Sequence, residues 1–267
     1  MEKFDSTRHG NLLNGLPFSY YTSAIHLDFY GYVFERNQES LIVWQDLLFP
    51  NDFPCLFLPK KKENWERCSM TFTTEQDRQR LVEEGVEIRV EAKTGTEFYY
   101  ETNVLVNPSG HIKRDVELFT KRYSYEVVST CEPEKIRAFY EEWKAQKTNR
   151  ENITFEISEA FFFFCLENLD RYDVRQVYIF VEQKLVGLAW GVKHSEENWV
   201  GLHLKSLYAF KGLGHFLHHQ RALLFSNEPN MTLGSEAHQP GIAQFKEELG
   251  PSKRVEYSYV LTGDKTE

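Results

Sequence analysis

Between residues 177 and 225 the chain places three short strand-forming runs in succession and follows them directly with a glycine-opened helix. The runs are 177–181, 185–192 and 199–204, all rich in Val, Leu, Ile, Tyr or Trp. Glu182-Gln183-Lys184 separates the first two, and a polar loop separates the second from the third. Links this short cannot carry a parallel crossover, so an antiparallel meander is expected. Gly212-Leu213-Gly214 then opens a helix running to about Phe225. A strand at 232–234 comes next, then a helix at 240–249 that presents Ile242, Phe245 and Leu249 and stops at Gly250-Pro251. The last strand, 255–261, alternates Val255, Tyr257, Tyr259 and Leu261 on one face.

Upstream of the meander, Ile112, Val116 and Phe119 fall at helical spacing, 126–129 reads as a strand, and Pro133 opens a helix. That helix presents Ile136, Phe139, Tyr140 and Trp143 at i, i+3, i+4 and i+7. Ser158 is expected to cap the next helix, 159–169, whose four consecutive phenylalanines imply burial on more than one side. The first hundred residues are β-rich. Runs at 29–35 and 40–44 flank the turn Arg36-Asn37-Gln38-Glu39 and predict a hairpin; 53–58, 69–72, 86–90 and 98–106 predict further strands. Thr74 and Gly85 bracket a helix at 74–84. Asn107-Pro108-Ser109-Gly110 is the expected boundary, giving an N-terminal β-rich domain at 1–107 and a C-terminal domain at 108–267. The fold class is α+β, with a mostly antiparallel sheet flanked by helices.

A length of 267 residues suits two ordinary domains, and 41% hydrophobic with 27% charged residues is a globular composition. The net charge of −9 gives no general attraction to nucleic acid or anionic lipid, so tRNA is a partner that net charge does not indicate. Lys113, Arg114, Lys121 and Arg122 form a local basic patch, more simply a solvated helix face. Cys55, Cys68, Cys131 and Cys165 show no close pairing and read as free thiols in a reducing compartment. Residues 1–15 lack the apolar core of a signal peptide, and no apolar run approaches the ~20 residues of a transmembrane helix. A cytoplasmic protein is the expectation.

The succession 176–204, 212–225, 233–249 and 255–261 resembles the core of the GNAT acyltransferase superfamily. More particularly it is similar to the branch holding the phosphatidylglycerol lysyltransferase C-terminal domain and the FemAB-like transferases. Glu97-Phe98-Tyr99-Tyr100-Glu101-Thr102, His111-Ile112-Lys113-Arg114, Phe119-Thr120-Lys121-Arg122-Tyr123, Trp143 and Gly241-Ile242-Ala243-Gln244-Phe245-Lys246 carry that likeness. The resemblance implies two tandem GNAT-like domains, the first degenerate. It also implies transfer of an acyl or aminoacyl group to an amine or hydroxyl acceptor, with acyl-CoA or aminoacyl-tRNA as donor. The loop Ala209-Phe210-Lys211-Gly212-Leu213-Gly214 keeps both glycines of the usual cofactor loop and lacks its leading Gln or Arg. That departure keeps open a second reading, a catalytically silent GNAT-like module that binds a ligand or partner.

Each candidate functional residue has a plainer alternative. Backbone N–H groups of Gly212, Leu213 and Gly214 at a helix N-terminus suit a pyrophosphate, with Lys205, Lys211 and His215 nearby; the alternative is a tight turn that needs glycine. His215 and His219 stand at i, i+4, a spacing that can bind zinc. No Glu comes directly after the first histidine and no cysteine pair lies near, so no metal is expected. The resemblance puts the strand end Gly234-Ser235-Glu236-Ala237-His238 beside the acyl-transfer point, with Glu236 or His238 as general base. Ser235 and Glu236 capping the next turn is the alternative. It likewise suggests Tyr257 as the acid for a leaving thiolate, against the commoner reading of a strand tyrosine as core or cleft wall.

Overall fold

The computed structural model describes residues 1–44, 53–147, 153–236 and 239–263. In chain order the elements are β1 (Glu2–Lys3), α1 (Ser6–Leu13), α2 (Ala24–Tyr30), β2 (Gly31–Arg36), β3 (Glu39–Trp44), β4 (Ser69–Thr73), α3 (Glu75–Glu83) and β5 (Ile88–Glu101). Next come α4 (Thr102–Val106), α5 (Gly110–Arg122), β6 (Tyr125–Val128), α6 (Pro133–Ala145), α7 (Ile153–Glu167), β7 (Arg175–Val181), β8 (Lys184–Lys193) and β9 (Asn198–Ser206). The chain closes with α8 (Leu213–Leu224), β10 (Asn230–Ser235), α9 (Pro240–Glu248) and β11 (Lys253–Thr262). Two compact units result: Met1–Phe98 with Gly234–Lys246 and Lys253–Glu267, and Tyr99–Leu233 with Glu247–Ser252. Each draws on chain from both sides of Asn107.

In the first unit β1, β2 and β3 pair antiparallel, and β4, β11 and β5 lie in that order. Asn37 and Gln38 turn the β2–β3 hairpin with φ of 47° and 59°, a two-residue turn with both centres left-handed. Thr74 caps α3 through the Asp77 N–H while Asp77 returns a bond to the Thr74 N–H, and Gly85 ends it at φ 74°. Trp65, Met70, Leu81, Val86 and Val260 form one apolar cluster; Phe4, Leu27, Ile42, Phe72 and Tyr257 form another. Cys55, Cys68 and Cys165 are buried free thiols and Cys131 is half-buried.

The second unit is the meander made solid. β6, β7, β8 and β9 pair antiparallel, and β10 joins β9 in parallel. Glu182 and Gln183 turn β7 into β8 at φ 50° and 64°. β8 is buried along almost its whole length, which an antiparallel strand shows only when both faces are covered. The Trp190 ring stacks on Phe162 of α7 at 4.8 Å, and the Trp199 ring stacks on Phe225, just after α8, at 4.3 Å. Arg221 of α8 is fully buried. Its guanidinium donates to the carbonyls of Trp190 (3.1 Å) and His203 (3.2 Å) and meets His218 Nε2 at 3.1 Å.

Four expected elements differ. Residues 29–30 end helix α2 instead of starting a strand, because the Ser23 carbonyl accepts from the His26 and Leu27 N–H groups and buries Ile25 and Leu27. The run 98–106 leaves the sheet after Glu101. There the Thr102 N–H donates to the Pro229 carbonyl (2.8 Å) and its hydroxyl accepts from the Trp199 indole (2.8 Å), which turns the chain into α4. α7 begins at Ile153, so Ser158 lies inside it. Residues 53–58 carry only single bridges at Cys55. No helix among the described residues is long and apolar enough to cross a membrane.

Replacing Arg221 with methionine keeps most of its volume and strips the Trp190 and His203 carbonyls of a shared donor. The expected loss is about 3 kcal/mol of unfolding free energy, read by urea denaturation.

Candidate active site

The parallel pairing of β9 and β10 is short. Its register runs Asn230↔Asn198, Met231↔Trp199 and Thr232↔Val200 and goes no further, although β9 continues to Ser206. Beyond Val200, β9 has β8 as its ladder partner on one side. A strand that leaves its parallel partner in mid-sheet must satisfy its backbone amides and carbonyls in another way.

From Gly234 onward the end of β10 and most of α9 belong to the first unit. Gly234 adopts φ 70°, and a Cβ there would meet the Tyr20 ring at 2.9 Å, so both conformation and space require glycine. Lys246 of α9 is buried, and its ammonium donates to the carbonyls of Gly234 (2.8 Å) and Ser235 (2.7 Å). A side chain thus does there what a neighbouring strand does elsewhere. The Tyr21 hydroxyl donates to Ser235 Oγ at 2.7 Å and accepts from the Ser235 N–H at 3.2 Å. Burial, then the charge of Glu97, pushes the Tyr21 phenol far above its usual range. Glu97 is itself buried and accepts from the Ser19 hydroxyl (2.7 Å) and the Tyr20 N–H (2.6 Å). Glu236 comes next, its Oε2 accepting from the Thr96 N–H at 2.8 Å. Burial holds His26 neutral down to about 3; its ring packs against Tyr20 and Tyr21 at 5.3 and 5.4 Å.

His238 lies outside the described residues. Tyr257 is buried in the apolar cluster, 5.3 Å from the Phe72 ring and 6.5 Å from that of Phe57. A phenol packed this way serves as core.

The glycine turn belongs to the second unit. Gly212 caps α8 at φ 80°, and a Cβ would fall 2.1 Å from the Asp115 carbonyl oxygen. The Leu213 N–H donates to the Phe210 carbonyl at 3.3 Å. The turn therefore has a packing reason for its first glycine, namely the close approach of α5. Lys211 is exposed beside it, and Gly214 lies in the first turn of α8. His215 is buried with Nδ1 2.8 Å from Asp115 Oδ2. His219, the expected i+4 companion, points its Nε2 to the Val106 carbonyl at 3.2 Å. His215 instead meets His111 of α5, ring centroids 5.9 Å apart, and Glu248 at the end of α9.

Lys205, expected to add positive charge near the turn, sits in an aromatic box. Its Nζ lies 3.7 Å from the Trp143 ring centroid, 5.2 Å from Tyr140 and 5.1 Å from Phe162. Burial first, and then the charge of Lys147, bring its amine down to about 7, against Glu159 acting in the opposite direction. The rings favour the ammonium, but desolvation outweighs them.

Asp115, Thr96 and Tyr21 escaped sequence reasoning, and Glu97 appeared there only within a family-like string. Each stands about a hundred residues or more from its partner, or nearly so, and no local spacing connects them. His111 lay within a family-like string, with nothing to link it to Glu248.

No protein-family model matches the sequence, and no curated protein sequence matches it. Solved structures do. A conserved protein of unknown function from Bacteroides thetaiotaomicron superposes with a TM-score of 0.74 at 14% identity, covering 91% of this chain and 90% of that one. A C-terminal domain described as that of a putative lysylphosphatidylglycerol synthetase, from Agrobacterium fabrum, gives 0.62 at 11% identity over 96% and 91%. A tandem GNAT protein of the clavulanic acid biosynthesis pathway gives 0.50 at 9% identity over 100% and 98%. The chain carries the GNAT-like fold of these proteins, antiparallel-rich and flanked by helices.

Lys205 makes a test of the aromatic box possible through pH. Its amine titrates near 10.4 in an unfolded chain and at about 7 in the folded one. Between those values the unfolded state holds the extra proton, so folding stability rises with pH. The stability of the wild type relative to Lys205→Met, from urea denaturation, is expected to climb between pH 7 and pH 10. A difference that stays flat would contradict a desolvated amine.

Proposed function

We propose that this protein is an acyl- or aminoacyl-transferase that delivers its group to an amine or hydroxyl acceptor. The observation that carries the reading is the Glu236 carboxylate just past the end of β10, held by the Thr96 N–H. Glu236 takes the proton from the acceptor's amine or hydroxyl as that atom attacks the donor carbonyl. The tetrahedral intermediate then breaks the bond to the donor's sulfur or ester oxygen, and that leaving atom receives the proton back from Glu236. The Thr96 N–H holds one oxygen of Glu236, which fixes the carboxylate's direction. The fold likeness to the lysylphosphatidylglycerol synthetase domain supports transfer chemistry of this class.

The donor is acyl-CoA or aminoacyl-tRNA, with Lys211, Gly212, Leu213, Gly214 and His215 as the segment that meets its phosphates. The N-terminal half is, in this reading, the degenerate copy of a tandem pair. The reaction itself needs no metal.

A second reading has one observation in its favour. Gly212 is already required by its φ and by the Asp115 carbonyl, so the turn needs no phosphate to account for its glycine. On that reading the protein is a catalytically silent module of the same fold.

The test is a thermal-shift series with CoA thioesters and aminoacyl-tRNAs, since any ligand that prefers the native state raises its melting temperature. A shift with one class names the donor, and no shift with either leaves the silent module. With a donor in hand, Glu236→Gln is expected to lower turnover by about 10²–10⁴-fold at little cost in folding. Unchanged turnover would remove Glu236 from the mechanism.

A further inference from the structure

We propose that His111, His215 and Glu248 form a binding site for a divalent transition-metal cation of the zinc type, with Asp115 positioning His215. One ligand atom from each of the three lies within 4.8 Å of the others. They come from three helices: His111 from the first turn of α5, His215 from the first turn of α8, Glu248 from the last residue of α9. His111 Nε2 and Glu248 Oε2 stand 3.9 Å apart. Two ligands on a tetrahedral zinc, each bonded at about 2.1 Å, stand about 3.4 Å apart. Side-chain rotation of less than about 1.5 Å therefore closes the set around an ion.

The Asp115 contact is the second, independent observation. Its Oδ2 holds His215 Nδ1 at 2.8 Å, which fixes the ring and presents Nε2 as the ligating atom. A carboxylate behind an imidazole is the usual support of a zinc-bound histidine, because it sets the tautomer and raises the basicity of the other nitrogen. His215 is also buried, 8% exposed, beside a hollow lined by Val104, Leu105, Pro108, Ile112 and Leu249. Two imidazoles and one carboxylate favour zinc over the hard cations, which take oxygen ligands. Water completes the coordination on the exposed side, where His111 is 47% and Glu248 35% accessible.

The electrostatics agree. The N-terminus of α8 carries partial positive charge and disfavours a cation. Two carboxylates, Asp115 and Glu248, offset it and neutralise the ion's own charge. The simplest consequence is a clip: the cation ties the starts of α5 and α8 to the end of α9. This site goes beyond the transferase reading, with which it shares His215, and its test uses neither donor nor acceptor.

The experiment uses the full chain and zinc chloride as probe, with cobalt(II) as spectroscopic reporter. Zinc is expected to raise the melting temperature, and cobalt to give visible absorption of the intensity that four-coordinate sites show. His111→Gln changes an exposed position and Glu248→Gln a half-buried one, and both are isosteric enough that they are expected to fold as the wild type does by circular dichroism. Each should abolish the cobalt bands and the zinc shift, and Asp115→Asn should weaken zinc by about 10- to 100-fold. The proposal is overturned if the wild type binds neither metal at millimolar concentration. It is equally overturned if the double variant His111→Gln/Glu248→Gln binds zinc as tightly as the wild type, which would assign the binding to other histidines.

Discussion

Arg221 illustrates how one buried charge can organise a unit. A guanidinium cannot shed its proton, so burying it demands acceptors on every accessible edge. The meander supplies them from two neighbouring strands, through the carbonyls of Trp190 and His203, and α8 adds His218. The cost of desolvating the group is offset only when α8 lies at one position over β8 and β9. That position in turn places Gly212 against the Asp115 carbonyl and His215 within reach of α5. The glycine turn, the histidines and the buried sheet are consequences of the same docking.

The end of β10 shows a similar logic with a different device. A strand that leaves its parallel partner after three residues must satisfy its backbone in some other way. Gly234 bends the chain through a left-handed conformation, and the Lys246 ammonium takes the carbonyls of Gly234 and Ser235. Lys246 therefore has a structural task. Tyr21 and Glu97 complete a polar network around Ser235, with Glu236 just beyond it. Rigid support of this kind is what a carboxylate needs if it is to meet an acceptor in one orientation.

Much of the fold was legible where local physics and final structure agree. The two hairpin turns, the Thr74 cap with its Gly85 stop, the Pro133 start and the apolar face of α6 all appear as their residues dictate. The misses have tertiary causes. Thr102 turns into α4 because Pro229 and Trp199 bond it, and neither is near in sequence. The candidate site was legible as far as the strand end at Glu236 and the turn at Gly212. Lys205 was read as a cation facing the turn, yet an aromatic box and burial bring its amine near neutrality. His215 and His219, set at i, i+4 in the sequence, go different ways: His219 turns to the Val106 carbonyl, while His215 faces His111 and Glu248.

The sequence by itself determined the α+β class, the meander, the glycine-opened helix and the likeness to GNAT transferases. Hydrophobic period, turn residues and caps are local, and they act within a few residues of where they are written. The tertiary structure alone decided which polar groups meet. Asp115 reaches His215, Thr96 reaches Glu236 and Tyr21 reaches Ser235 across stretches of about 100 to more than 200 residues. Those meetings result from the packing of whole elements, where desolvation punishes every buried group left without its partner.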